Sequence, residues 1–242
     1  MWTALLDITR GCALPMLLAA VVAYLLGSIN TAIILTKARQ HDDIRDYGSG
    51  NAGATNVLRT QGWGPAIATG LGDLLKSLIA VLLGQYILVH FSVGEFDPTY
   101  LKFVGGYLAG LFCIIGHLYP VYFGFRGGKG VVATLGLGLI LDWRAAVLAL
   151  AVFGIVVALT RMVSASSLCA GLAMVAGTFL FPMLFDKRDS TVVGFCTAMM
   201  GVAVLFVFLK HIPNIRRILN GTENRFGGGA KKETENTEEQ GE

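Results

Sequence analysis

Long apolar runs alternate with short polar segments along this chain. Seven runs read as membrane spans: Leu14–Thr36, Ala66–Val89, Leu101–Phe125, Val131–Leu141, Ala145–Thr160, Ser167–Phe185 and Val192–Leu209. A helix crossing a bilayer needs about 20 residues. The Leu, Val, Ala and Gly runs lack the strict alternation of a membrane β-barrel. The first run passes through Gly27-Ser28-Ile29-Asn30 and continues to Leu35, with no cationic start and small-residue cleavage site before it, so it reads as a retained span. The fourth and fifth runs are short. Joining them would bury Asp142 and Arg144 in lipid, which is costly. A turn over Leu141-Asp142-Trp143-Arg144, with Trp143 at the interface, fits better.

Charge gives the sidedness. With seven spans and the N-terminus outside, one face receives the 37–65, 126–130 and 161–166 segments and the C-terminal tail. That face carries Lys37, Arg39, Arg45, Arg59, Arg126, Lys129, Arg161, Lys210, Arg216, Arg217, Arg225, Lys231 and Lys232. The other face carries only Arg10, Lys102, Arg144, Lys187 and Arg188. The basic face belongs in the cytoplasm. The expected class is an all-α integral membrane protein with seven transmembrane helices, an outside N-terminus, a cytoplasmic C-terminus and short cytoplasmic motif loops. A six-span count would separate Lys129 from Arg161 and the tail. Residues 1–226 form one polytopic domain in this reading. Residues 227–242, polar, Gly-rich and charged, read as a disordered tail.

Composition agrees: 54% of the 242 residues are hydrophobic and 14% charged, against about 25% charged in soluble domains. Cys12, Cys113, Cys169 and Cys196 show no metal or redox spacing and read as small apolar residues. No metal site, cofactor or nucleic-acid partner is expected.

Two polar loops carry the candidate chemistry. The first contains Gly48, Ser49, Gly50, Asn51, Gly53, Thr55, Asn56 and Arg59; the second is Arg126-Gly127-Gly128-Lys129-Gly130. Glycines, backbone N–H groups and fixed cations make anion-binding concavities. If residues 54–59 are helical, Thr55 and Arg59 share a face, and Arg offers the planar fork that suits phosphate. The second loop is not a Walker A motif, because Phe123 stands where that motif needs Gly and Gly130 follows Lys129. Nucleoside triphosphates are therefore disfavoured. Ser164 and Ser167 can cap a helix whose N-terminus faces an anion, with Arg161 an interface anchor. His211 and Asn214 place an acid/base and an amide together in a basic segment that also suits acidic lipid. Glu223 is the one acid in the segment between Lys210 and the tail. His117 reads as a buried structural residue, and Asp73 and Lys76, at i and i+3, as an intramembrane pair. His41 and Asp46 fit H-x-x-x-x-D, a charge-relay spacing of a separate acyltransferase class, but their flanks do not resemble that class and the match reads as coincidence.

Together these motifs resemble the PlsY family, the bacterial acyl-phosphate:glycerol-3-phosphate acyltransferases. The resemblance runs from Tyr24-Leu25-Leu26-Gly27-Ser28 to Gly221-Thr222-Glu223-Asn224-Arg225-Phe226. The first family motif matches Asp43-Ile44-Arg45, Gly48 to Asn51, Gly53 to Asn56, Arg59 and Gly62. The second matches Gly116-His117, Pro120-Val121 and Gly127 to Val131. The third matches Arg161, Ser164 and Ser167, then His211, Asn214, Ile215, Arg217, Gly221 and Glu223. Three positions depart: Val132 intervenes before Ala133-Thr134, Pro213 sits between His211 and Asn214, and Ser77 replaces a frequent Gly. Pro213 should kink its segment and remove an N–H.

The resemblance implies transfer of a fatty acyl group from acyl phosphate to the 1-hydroxyl of glycerol 3-phosphate, giving lysophosphatidate and inorganic phosphate at the bacterial cytoplasmic membrane. It also implies a functional link to the enzyme that makes acyl phosphate. In this reading Ser49, Arg59 and Lys129 hold phosphate and stabilise charge near the acyl carbonyl. Gly127 and Gly128 shape the glycerol 3-phosphate site. Gly48, Gly50, Asn51, Thr55, Asn56 and Gly130 complete the binding loops, and Arg161, Ser164 and Ser167 a phosphate pocket. His211 and Asn214 orient the hydroxyl, and Glu223 secures the C-terminal segment. Two rivals remain at this point: a transporter of a phosphorylated solute and a non-catalytic membrane scaffold.

Overall fold

A computed structural model describes residues 2–225, with side chains from residue 11 onward. The 227–242 tail lies outside the described residues. Ten α-helices and no strand occur among them. In order they are Trp2–Ser28 (α1), Thr31–Gln40 (α2), Ala54–Gln61 (α3), Trp63–Phe91 (α4), Pro98–Leu118 (α5), Val131–Leu141 (α6), Trp143–Thr160 (α7), Val163–Phe181 (α8), Ser190–Lys210 (α9) and Ile212–Leu219 (α10). Six stretches are long and apolar enough to cross a membrane, and α6 is a seventh, shorter apolar helix.

The first apolar run is two helices in one span. Asn30, fully buried, breaks it: its Oδ1 accepts from Ile33 N and caps α2, while its Nδ2 donates to Ala52 O. A single span over Leu14–Thr36 does not anticipate this break. The third run also ends early. Pro120 disfavours a helical Tyr119, so α5 stops at Leu118 and a short 3-10 turn, Val121–Phe123, follows. The boundaries of α6 coincide with the expected run, and Asp142 caps α7 by accepting from Ala145 N. Pro213 lies in the first turn of α10, where its missing N–H would have had no helical partner; the chain turns at His211 instead.

Helices α1, α4 and α5 pack mutually, α6 lies against α4, and α7, α8 and α9 form the other side. The core joining them contains Tyr107, Leu137, Met174 and Met200. Gly106 and Gly110 let α5 approach α6, because a Cβ at either would run into Leu141 or Leu137. The outward faces are greasy: Leu159 is 80% exposed and Leu14 75%. That pattern suits contact with lipid tails.

Candidate functional site

The two glycine loops converge through Arg45. Its backbone N and Nε donate to Asp43 Oδ1 and its Nη2 donates to Asp43 Oδ2, at 2.7–3.0 Å. The guanidinium thus fixed donates through Nη1 to Phe123 O (2.7 Å) and Arg126 O (3.0 Å) in the second loop. The Arg45 guanidinium holds the Asp43 carboxyl below its usual pKa. Within the first loop, Asn56 accepts from Ser49 N (2.8 Å) and donates to Ile44 O and Tyr47 O. Its amide therefore organises the loop. Gly48 has φ +58°, and a Cβ there would strike Asn56 Oδ1. Helix α3 forms as the motif predicts and carries Thr55 and Arg59 on the cavity side.

In the second loop, Gly127 N donates to Leu118 O (3.2 Å) and Gly128 N to His117 O (3.0 Å). These donors satisfy carbonyls at the end of α5, so they are not open to an anion. The two glycines instead permit close packing: a Cβ at Gly127 would strike His117 O, and one at Gly128 would fall on His117 Nε2. Gly130, at φ +82°, turns the chain into α6.

Both loops open onto a cavity of about 290 Å³. Its polar end presents Ser49, Asn51, Thr55, Asn56, Arg59, Lys129, Gly130, Ser164, Ser167, His211, Asn214 and Glu223. Gly48, Gly50, Gly127, Gly128 and Arg161 are not in its wall, and neither are His41 and Asp46. Arg161 is exposed and ends α7 in the left-handed region at φ +58°. Ser164 and Ser167 are not helix caps, contrary to expectation. Helix α8 starts at Val163 after Met162, so both lie inside it; Ser167 Oγ donates to Val163 O.

One carboxylate ties the third motif together. Glu223 Oε1 accepts from Ser164 Oγ (2.9 Å) and Asn214 Nδ2 (2.7 Å), and Oε2 from Arg217 Nε (2.8 Å). Burial alone would raise this carboxyl; the three hydrogen bonds outweigh it and hold Glu223 below its usual pKa. Asn214 Oδ1 then accepts from Lys129 Nζ at 2.5 Å. Both ends of the Asn214 amide are thus engaged, and the residue aims Lys129. Burial, which outweighs the pull of Glu223 and is aided by nearby Arg217 and Arg59, lowers Lys129 to about 8. Among the described residues, the side chains of Arg59 and Ser49 have no hydrogen-bond partner.

His211 Nδ1 lies 2.8 Å from Val207 O. A carbonyl only accepts, so Nδ1 carries the proton and Nε2 presents a lone pair. Burial and the neighbouring Lys129 lower His211 to about 4, keeping the ring neutral at neutral pH. No pattern in the sequence signals the cavity's other arm. It is apolar, lined by Leu135, Ala149, Leu150, Phe153, Gly171, Met174 and Val204 from α6 to α9. A fixed-cation end opening into such an arm accepts a molecule with an anionic head and a hydrocarbon chain.

Comparison with known proteins gives a consistent result. The profile of the family described as Glycerol-3-phosphate acyltransferase matches residues 17–221. A glycerol-3-phosphate acyltransferase of Clostridioides difficile (strain 630) is 40% identical over 215 residues, covering 87% of this chain and 95% of that one. One from Geobacter sulfurreducens (strain ATCC 51573 / DSM 12127 / PCA) is 41% identical over 210 residues, covering 87% and 97%. The fold is similar to crystal structures of PlsY (YgiH), an integral membrane glycerol 3-phosphate acyltransferase, at 32% identity. The glycerol 3-phosphate form gives a TM-score of 0.71 over 88% of this chain and 96% of that one. The lysophosphatidic acid form gives 0.69 over 88% and 95%.

Proposed function

The chain belongs to the glycerol-3-phosphate acyltransferase family, and on that premise we propose that its acyl donor is a fatty acyl phosphate. The acyl group passes to the 1-hydroxyl of glycerol 3-phosphate, giving lysophosphatidate and inorganic phosphate. The observation that carries this reading is the single cavity with Arg59 and Lys129 at one end and an apolar arm at the other. An acyl phosphate is already activated, so the protein's task is positioning and charge stabilisation.

In this mechanism Arg59, Lys129 and Ser49 hold phosphate and stabilise the developing negative charge. His211 Nε2 accepts the hydrogen bond of the attacking hydroxyl. The hydroxyl oxygen bonds to the acyl carbon, and the bond from that carbon to the phosphate oxygen breaks. The proton goes to a substrate phosphate, because a ring held near pKa 4 is a poor proton store. Asn214 acts through Lys129, and Glu223 through Asn214. The proposed setting is the bacterial cytoplasmic membrane, with seven spans, the N-terminus outside and the two loops facing the cytoplasm. A separate enzyme making acyl phosphate would supply the donor.

Transport of a phosphorylated solute is the weaker reading, because the polar groups gather at one end of the cavity and, among the described residues, the broken helix α1–α2 has no paired counterpart. The test uses purified protein with labelled glycerol 3-phosphate and palmitoyl phosphate, and palmitoyl-CoA in parallel. Lysophosphatidate from the acyl phosphate, lost in Ser49→Ala and Lys129→Ala, supports the proposal. Product from palmitoyl-CoA alone overturns the donor. No product from either donor in folded protein, with uptake into liposomes, supports transport.

A further inference from the structure

We propose that His117 contacts substrate directly, its Nε2–H binding a phosphate oxygen in the cavity. This rests on the acyltransferase reading and adds a residue to it.

The sequence suggests only a structural histidine. The structure puts it in the cavity wall at 4% exposure. Lys76 Nζ lies 2.9 Å from His117 Nδ1, 2.9 Å from Asp73 Oδ1 and 2.7 Å from Ile29 O. An ammonium has three hydrogens and no lone pair. It can only donate, so Nδ1 accepts from it and the neutral ring carries its proton on Nε2. Asp73 does not reverse this, because its Oδ1 is 3.6 Å from Nδ1, beyond a hydrogen bond.

Nε2–H has no hydrogen-bond partner among the described residues. The atom keeps some accessible surface in the cavity wall, so this donor is open to a bound molecule. Gly128 is what leaves this edge of the ring clear, since a Cβ there would occupy the position of Nε2. The second glycine loop therefore passes close to the imidazole donor. Asp73 also lies in the wall, but Lys76 neutralises it beside the histidine and removes its repulsion of a phosphate. His117 and His211 are held in opposite tautomers, a ring donor in one and a ring acceptor in the other. His117 cannot serve as the base through Nε2, because that atom already holds the proton.

The phosphate belongs to either substrate, and kinetics distinguish them. His117→Asn keeps an amide near the Nδ1 position for Lys76 but does not reach Nε2. His117→Gln places an amide N–H near Nε2. KM for glycerol 3-phosphate and for palmitoyl phosphate is measured separately in wild type and both variants, with melting temperature as the check on folding. We expect His117→Asn to raise one KM about tenfold and His117→Gln to recover most of it. A rise confined to glycerol 3-phosphate places Nε2–H on the acceptor; one confined to palmitoyl phosphate places it on the donor. Both KM values unchanged in folded His117→Asn overturns the proposal. So does loss of kcat that follows the folded fraction and is not recovered by Gln. Wild-type protein that ignores palmitoyl phosphate but uses palmitoyl-CoA would sink the donor assignment alone, leaving the glycerol 3-phosphate comparison to decide His117.

Discussion

Lys129 Nζ hydrogen-bonds to Asn214 Oδ1 at 2.5 Å, joining the second glycine loop to the first turn of α10 across 85 residues of sequence. The ammonium is therefore aimed by an amide that Glu223 itself orients. Lys129→Ala should lower kcat by about a hundredfold to a thousandfold, the cost of removing one preorganised charge donor. Asn214→Ala should lower kcat/KM by about tenfold to a hundredfold. Because both act through one contact, the double variant should fall well short of the product of the two losses. Steady-state kinetics on the three variants checks this; multiplicative losses would disconnect the residues.

The Lys129 value of about 8 sets a pH limit. Only the ammonium holds phosphate, so activity is present below this pKa and is lost as pH rises through it. The kcat/KM profile, which reports free enzyme, should fall above pH about 8. In Lys129→Arg the limb should disappear, because guanidinium stays charged. A profile with the same alkaline limb in Lys129→Arg would assign it to another group.

Glu223→Ala leaves Ser164, Asn214 and Arg217 without their shared acceptor. We expect a loss of about 1–3 kcal/mol in stability, read as a lower melting temperature in detergent. Glu223→Gln, which keeps one acceptor oxygen, should lose less. Equal losses in the two variants would argue against the hydrogen-bond account.

The apolar arm sets a test of chain length. Gly171 lines it, with Val204 opposite. Gly171→Leu should fill the arm and lower activity with palmitoyl phosphate more than with a shorter acyl phosphate. Competition between the two donors in one reaction reads the ratio; an unchanged ratio would place the chain elsewhere.

The spans were legible because lipid demands long apolar helices, and even the short α6 was bounded correctly by Gly130 and Asp142. Helix α3 and the shared face of Thr55 and Arg59 were legible from local spacing. Asn30 was not, because one polar residue in an apolar run looks tolerable until its partner, Ala52 O, is known. The glycine loops were found, but not what their atoms do. Gly127 and Gly128 donate to the end of α5, and Arg45 clamps one loop to the other across about 80 residues. The partner of His117 was not legible either: Lys76, 41 positions away, fixes its tautomer. Nothing in the sequence joined Phe153 and Met174 to the polar end.

Helix α6 has 11 residues and so rises about 16 Å, roughly half the hydrocarbon thickness. Its first turn abuts Lys129, and its far end meets Trp143 at the start of α7. On the proposed seven-span topology a helix this short leaves at least one of its ends within the hydrocarbon thickness. With Lys129 at that end, the proposed fatty donor would react without leaving its leaflet. The water-soluble acceptor would make the descent, and the new lipid would be released already in place.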